Sequence, residues 1–325
     1  MGGIYLAGLV LILSFVLGKV SDFTAASVRR LSLRFKINEF ITAFFFLGIA
    51  TSIPEIAVAV FSAIRGVPEL SFGNLIGANI VILTFMIGLA AVFSGKLSVH
   101  KAIHRDDFFL TLMLVGLPIP FILNGYISRV EGLVMMVAYG YFLLHFFWRR
   151  RAYRKQSKAT HLRGTVQRDI AIFLVSSIVL LIVSYVLVQV SLTAAAALGI
   201  PILVVGLLMI SLGTNVPEVS FVLNQASRRY TKDKDIVTGV LLGNVVLNTP
   251  TLGLLALIRP FSIGNLQMVW VSAAFLAVVL YATWVFFLSE RKLTRREGIL
   301  LLLLYALFVG YQLGLFSRLF PGSFS

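Results

Sequence analysis

The 325 residues contain no cysteine, and charged residues are scarce. Without cysteine there is no disulfide framework and no thiolate metal site. Asp, Glu, Lys and Arg make up 13% of the chain, against about 25% in a soluble domain. That is too little polar material to cover a water-facing surface. With 59% hydrophobic residues, the chain needs lipid as its solvent. The N-terminus has no basic stretch and no small-residue cleavage site, so residues 2–20 read as a retained first helix rather than a secretory signal. Leu6 occupies a position where a myristoylation pattern needs Ser or Thr. Glycine-rich phosphate loops, Ser-His-Asp sets and HExxH zinc motifs are also missing, which argues against an enzyme.

The charge that is present is mostly basic, with 28 Lys and Arg against 13 Asp and Glu. Such an excess raises the question of a nucleic-acid partner. Its distribution answers against one, because the basic residues fall between apolar runs. A spanning helix needs about 20 mostly apolar residues. Ten runs qualify: 2–20, 38–64, 71–94, 107–124, 130–148, 169–190, 196–226, 236–258, 264–288 and 298–316. Of the 28 Lys and Arg, 24 follow odd-numbered runs; Arg65, Arg129, Arg259 and Arg318 are the exceptions. The positive-inside rule then puts the odd loops in the cytoplasm and both termini outside.

The basic, polar segment 149–168 divides the chain into 1–148 and 169–325, with five spans each. Two odd-numbered halves in series enter the membrane in opposite senses. The expected fold is therefore an all-α polytopic membrane protein of ten transmembrane helices, arranged as two inverted five-helix repeats. Its second and seventh helices are interrupted by Pro54 and Pro217.

The repeat can be seen residue by residue. The second run holds Ala50-Thr51-Ser52-Ile53-Pro54-Glu55, and the seventh holds Gly213-Thr214-Asn215-Val216-Pro217-Glu218. Gly73-Asn74 in the third run corresponds to Gly243-Asn244 in the eighth. Of the thirteen carboxylates, only Glu55 and Glu218 fall deep inside runs, and no Lys or Arg lies at that depth. A carboxylate in the bilayer costs roughly 2.5 kcal/mol or more and marks function. Without basic partners, the pair calls for protons or metal cations. Each proline withholds a backbone donor, from the Ala50 carbonyl and from the Gly213 carbonyl. Such freed oxygens are tolerated where they line a cavity. Four-residue spacing puts Thr51 on the face of Glu55 and Thr214 on the face of Glu218. Asn74 and Asn244 suit either of two roles, cation ligand or brace for a helix break. His100 and His104 share a metal-binding spacing, but they read as part of a solvated loop, and His145 reads as interfacial.

These motifs resemble the paired repeats of the calcium/cation antiporter superfamily, which includes the sodium/calcium exchangers. That family carries a GTSxPE motif and then a GNxxGSNxx(N/D) motif in each repeat. The resemblance covers nearly the whole chain and implies cation ligands at Thr51, Ser52, Glu55, Asn74 and Asn79 in the first repeat. In the second it implies Thr214, Asn215, Glu218, Asn244 and Asn248. It further implies exchange of Ca²⁺ for Na⁺ or H⁺ by alternating access in a compact protein of a prokaryotic plasma membrane, with no resident cofactor. The chain departs from the pattern at Ala78, where a serine is usual, and at Leu247 and Asn248, which replace glycine and serine. Ile82 and Leu252 stand where Asn or Asp is usual. Fewer oxygen ligands weaken a Ca²⁺ or Na⁺ site. Two alternatives therefore stand beside the main reading: a proton-coupled exchanger of another cation, and a non-transporting cation-sensing or scaffold relative.

Overall fold

The structure, a computed structural model, describes residues 2–35, 46, 48–98, 105–149, 165–215, 218, 219, 222, 234–290 and 292–314. These residues are almost entirely helical. In chain order the elements are α1 (Gly2–Arg34), α2 (Gly48–Thr51), α3 (Ile53–Arg65), α4 (Pro68–Ser94) and β1 (Lys96–Ser98). There follow α5 (Arg105–Gly116), α6 (Pro118–Ile122), β2 (Tyr126–Ile127) and α7 (Arg129–Arg149). The second half holds α8 (Val166–Leu198), α9 (Ile202–Thr214), α10 (Lys234–Ile258) and β3 (Phe261–Ser262). It ends with α11 (Leu266–Glu290), β4 (Lys292–Thr294) and α12 (Arg295–Gln312).

Six described helices are long and apolar enough to cross a bilayer: Gly3–Arg34, Pro68–Ser94, Arg129–Trp148, Val166–Leu198, Thr238–Ile258 and Leu266–Phe287. The protein is a multi-pass membrane protein. Three of the remaining apolar runs fall short because their helices are broken or charged. The second run is interrupted at Ser52, between α2 and α3. The fourth breaks at Leu117 ahead of Pro118. The tenth opens on Arg295, Arg296 and Glu297.

The two longest helices differ from the apolar runs that announce them. α1 continues from 20 to Arg34, and α8 starts at Val166 and runs on to Leu198. At 33 residues each, they extend to about 50 Å. The start expected for the seventh span, residue 196, lies in the last turn of α8. Gly199, at φ 64, caps that turn, and Pro201 precedes α9. The helices tolerate charge inside them because it is paired. Arg30 Nε donates to Asp169 Oδ1 at 2.5 Å, and Arg34 Nε donates to Oδ2 at 3.1 Å.

α1 and α8 lie side by side and antiparallel. Gly3 meets Leu198, Thr24 Oγ1 donates to Ser176 Oγ at 2.8 Å, and Arg30 meets Asp169, so one number falls as the other rises. Each helix carries two serines seven residues apart, Ser14 and Ser21 on α1 and Ser184 and Ser191 on α8. All four are fully buried. The step from Ser14 to Ser184 equals that from Ser21 to Ser191 and from Asn74 to Asn244.

The remaining helices pack across the two halves. A Cβ placed on Gly206 of α9 would fall 2.2 Å from the Leu70 carbonyl oxygen of α4. A Cβ on Gly48 of α2 would fall 3.1 Å from the Gly243 backbone of α10. Each half thus sets a glycine of its motif region against the third span of the other. Short antiparallel strand pairs tie loops together at two places, β1 with β4 and β2 with β3. α4 contains a π-helical turn at Val81–Met86, and α9 contains one at Val205–Ile210. Such turns often accompany functional sites.

Gly206→Ala should separate α9 from α4. A drop in Tm is expected, equivalent to about 1–3 kcal/mol of overpacking. Gly140→Ala, whose Cβ would meet nothing within 4 Å, should leave Tm unchanged. Thermal unfolding in detergent checks both.

Candidate cation site

Glu55 sits on α3, in the first turn after the break at Ser52. Pro54 opens that helix and has no N–H to give to the preceding turn. Ser52 N still donates to the Gly48 carbonyl at 3.0 Å, so the chain is interrupted here without being redirected. Glu218 lies four residues past α9, and Val219 N bonds back to the Asn215 carbonyl at 3.2 Å. Pro217, the expected interruption of that helix, lies outside the described residues. So do His100 and His104.

Both glutamates are buried, Glu55 fully and Glu218 at 2% exposure. They are close enough for the charge of Glu218 to act on Glu55. The ion pairs among the described residues involve neither of them. This is the costly arrangement that a bound cation relieves.

The hydroxyls pair across the halves. Four-residue spacing puts Thr51 with Glu55 and Thr214 with Glu218. In the structure Thr214 acts on Glu55, and Thr51 acts on Glu218. The Thr51 hydroxyl also donates to the Gly48 carbonyl at 3.2 Å. The two motifs therefore face each other.

The amides divide into two groups. Asn244 Nδ2 donates to Glu218 Oε1 at 2.9 Å, and Asn244 Oδ1 accepts from Ser52 Oγ at 3.4 Å. This chain of contacts runs from the first motif, through α10, to the second motif's glutamate. Asn74 is fully buried, and neither of its amide atoms has a partner. Asn215 Nδ2 donates to the Ser211 carbonyl at 2.7 Å, leaving its Oδ1 free. Asn248 Nδ2 donates to Asn79 Oδ1 at 2.6 Å, leaving the Asn248 Oδ1 free.

The result is a set of buried oxygens without hydrogen-bond partners: both of Glu55, Oε2 of Glu218, and Oδ1 of Asn74, Asn215 and Asn248. Buried acceptors are normally satisfied. Several orphaned on the motif helices make a donor set for a hard cation, which takes oxygen ligands. No group of three or more His, Cys, Asp and Glu occurs among the described residues, so amides and hydroxyls must complete the shell.

Ile82 and Leu252, at positions usual for ligands, are buried and apolar. Three features were not read from the sequence. Ser14 of α1 presses on the second motif, where a Cβ on Gly213 would fall 1.9 Å from the Ser14 Cβ. Its signal was a lone hydroxyl in an apolar run. Asp22, expected in a loop or at a helix end, lies within α1 and pairs with Lys19 at 3.5 Å. His145, expected to be interfacial, has Nε2 at 3.9 Å from the buried Asp107.

Asn244→Ala should free Glu218 Oε1 and raise the apparent Kd for Ca²⁺ about tenfold, the equivalent of 1.4 kcal/mol. Ser52→Ala, which removes a longer contact, should have a smaller effect. The rise of Tm with Ca²⁺ concentration measures both.

Comparison with known proteins gives the family. The family described as Sodium/calcium exchanger protein matches residues 5–148 and 169–314. The sodium/calcium exchanger MaX1 of Methanosarcina acetivorans is 24% identical, over 93% of this chain and 97% of its own. The uncharacterized membrane protein MJ0091 of Methanocaldococcus jannaschii is also 24% identical, over 93% of this chain and 95% of its own. Among solved structures, the sodium-calcium exchanger NCX_Mj superposes with a TM-score of 0.66 at 22% identity, covering 94% of this chain and 98% of that one. The family's proteins are transporters and not enzymes, and by the extent of the match this chain belongs to the sodium/calcium exchanger family.

Proposed function

We propose that the protein is a secondary active antiporter that exchanges Ca²⁺ for Na⁺ or H⁺ by alternating access, with Glu55 and Glu218 holding the ion near the midplane. The observation that carries this reading is the pair of buried glutamates, neither of them in an ion pair among the described residues. Emptied of cation, the pair would hold two charges in lipid, at roughly 2.5–3.5 kcal/mol each by insertion scales. The site therefore changes sides loaded, and loading by one ion is coupled to release of the other. Thr51, Ser52, Thr214, Asn215, Asn74, Asn79, Asn244 and Asn248 supply ligands and braces around it.

The proposed frame is ten spans in two inverted repeats, 1–148 and 169–325, joined by the basic linker 149–168, with odd loops cytoplasmic and both termini outside. Contacts between loops support it, because only loops on one face of the membrane can touch. β1 and β4 follow the third and ninth spans, both odd. β2 and β3 follow the fourth and eighth, both even. Glu69 Oε1, after the second span, accepts from Gly264 N, after the eighth, at 2.8 Å. The Arg30, Arg34 and Asp169 cluster joins the first and fifth loops. Prokaryotic relatives of similar length support a prokaryotic plasma membrane.

Na⁺ as counter-ion is supported by the likeness to MaX1 and NCX_Mj, both sodium/calcium exchangers. A proton-coupled exchanger of another cation, without Na⁺ coupling, is the second reading. It is favoured by the buried apolar Ile82 and Leu252, which remove two oxygen ligands from the family's pattern.

Radiolabelled Ca²⁺ uptake into proteoliposomes tests the proposal under an outward Na⁺ gradient, an outward proton gradient and no gradient. Uptake driven by either gradient supports antiport and names the counter-ion. No uptake by folded protein would remove Ca²⁺ from the reading and favour another cation or a non-transporting relative. Glu55→Gln and Glu218→Gln should each abolish exchange while leaving folding intact, and full flux through either variant would end the mechanism.

A further inference from the structure

Asn79 and Asn248 belong to opposite halves, on α4 and α10, and each is 2% exposed. Their side chains meet at 2.6 Å, with Asn248 Nδ2 donating to Asn79 Oδ1. Asn248 Oδ1 is buried and without a partner. Asn248 lies one turn beyond Asn244 on the same face of α10, about 6 Å along the axis. Asn244 in turn holds Glu218.

A primary amide has two ends of nearly equal shape and opposite polarity. Left alone beside a cation site, Asn248 could present its N–H₂ as readily as its oxygen. A donor end would repel the ion. The bond to Asn79 commits the N–H₂ elsewhere, so only the oxygen remains to be presented. The arrangement is one-sided. In the first half the motif position matching Asn248 is Ala78, which is fully buried and has nothing to offer a cation. The polar group there comes one residue later, at Asn79. With Ile82 and Leu252 apolar, Asn248 Oδ1 is a neutral oxygen that restores a ligand without adding charge.

We propose that Asn79 is a positioning residue that orients Asn248 so that its Oδ1 coordinates the transported divalent cation. This rests on the cation-site reading above, and it moves Asn79 from the ligands to their support.

The test uses the full chain in proteoliposomes, with KM and Vmax for ⁴⁵Ca²⁺ under the gradient that drives the wild type. Ca²⁺-dependent Tm serves as a second readout. Asn79→Leu, which is close in volume but has no acceptor, should raise KM about tenfold or more while Vmax stays within about twofold. Asn79→Asp keeps the accepting oxygen and should hold KM within about threefold of wild type. Asn248→Leu should raise KM at least as far as Asn79→Leu, and the double variant should be no worse than Asn248→Leu alone. If Asn79→Leu does not fold, Asn79→Ala replaces it with the same expectation.

An unchanged KM in Asn79→Leu, or losses that add in the double variant, would overturn the proposal. So would Asn79→Asp behaving as badly as Asn79→Leu, since Asn79 would then be the donor and Asn248 the acceptor. Wild-type protein that neither binds nor moves Ca²⁺ overturns the cation-site reading, and this proposal with it. Normal wild-type transport with an unaffected Asn79→Leu overturns this proposal alone.

Discussion

Two carboxylates lie buried in the interior of a chain with too little polar residue to live outside lipid. Neither has a basic partner among the described residues, and three of their four oxygens lack a hydrogen bond. Most of the architecture can be understood as what it takes to keep such a pair buried and close. The helix carrying Glu55 is interrupted one turn before it, at Ser52. A bridge from Ser52 through Asn244 reaches Glu218. Each of these groups is polar, and each is affordable only because the others are there. A buried polar network satisfied in part is costly, and the missing part here has the chemistry of a cation.

Close approach is the second requirement, and glycine provides it. Gly206 lets α9 touch the backbone of α4, and Gly48 lets α2 touch that of α10. Both contacts join one half of the chain to the other. The motif helix of each half is therefore held against the asparagine-bearing helix of the other. A single half could not assemble the site, because Asn244 bridges Ser52 of one motif and Glu218 of the other. Around this core, α1 and α8 form a separate antiparallel pair tied by Asp169 and its two arginines. That pair meets the site where Ser14 rests on Gly213.

Much of this was legible in the sequence, because its strongest signals are local. Membrane residence follows from composition. Glu55 and Glu218 stand out as the two carboxylates deep in apolar runs, and the matched motifs name the groups around them. What was not legible depends on contacts between distant residues. Helical spacing assigned each threonine to the glutamate four residues on, whereas the packing of the halves also brings each near the other half's glutamate. The ends of α1 and α8 were misplaced for a similar reason. Arg30, Arg34 and Asp169 look like loop residues until their pairing is known, since charge ends an apolar run on paper but not in a helix that neutralises it. The roles of the amides were also hidden. Asn74 and Asn244 occupy matching motif positions, yet one has both amide atoms free and the other has both engaged.

That last contrast bears on how the site works. The two halves match in sequence pattern but not in bonding. Glu218 is held on one oxygen by Asn244, while Glu55 has no comparable tether. Ser52 of the first motif reaches across to Asn244, whereas its counterpart Asn215 turns its amide back to the Ser211 carbonyl of its own helix. Asn248 is clasped by Asn79, while the matching Ala78 has no side chain to clasp. A site symmetric in both sequence and bonding would bind equally well from either face. Among the described residues, Glu218 and Asn248 of the second half are held by other side chains, while Glu55 and Asn74 of the first are not. In a loose half, a ligand can reorient with little loss of hydrogen bonding, so ordering Glu55 and Asn74 falls to the arriving ion. In the fixed half the geometry is set beforehand, and binding costs less side-chain entropy there. In the proposed antiporter, selectivity would then belong mainly to the Glu218 side, and the conformational response to occupancy mainly to the Glu55 side.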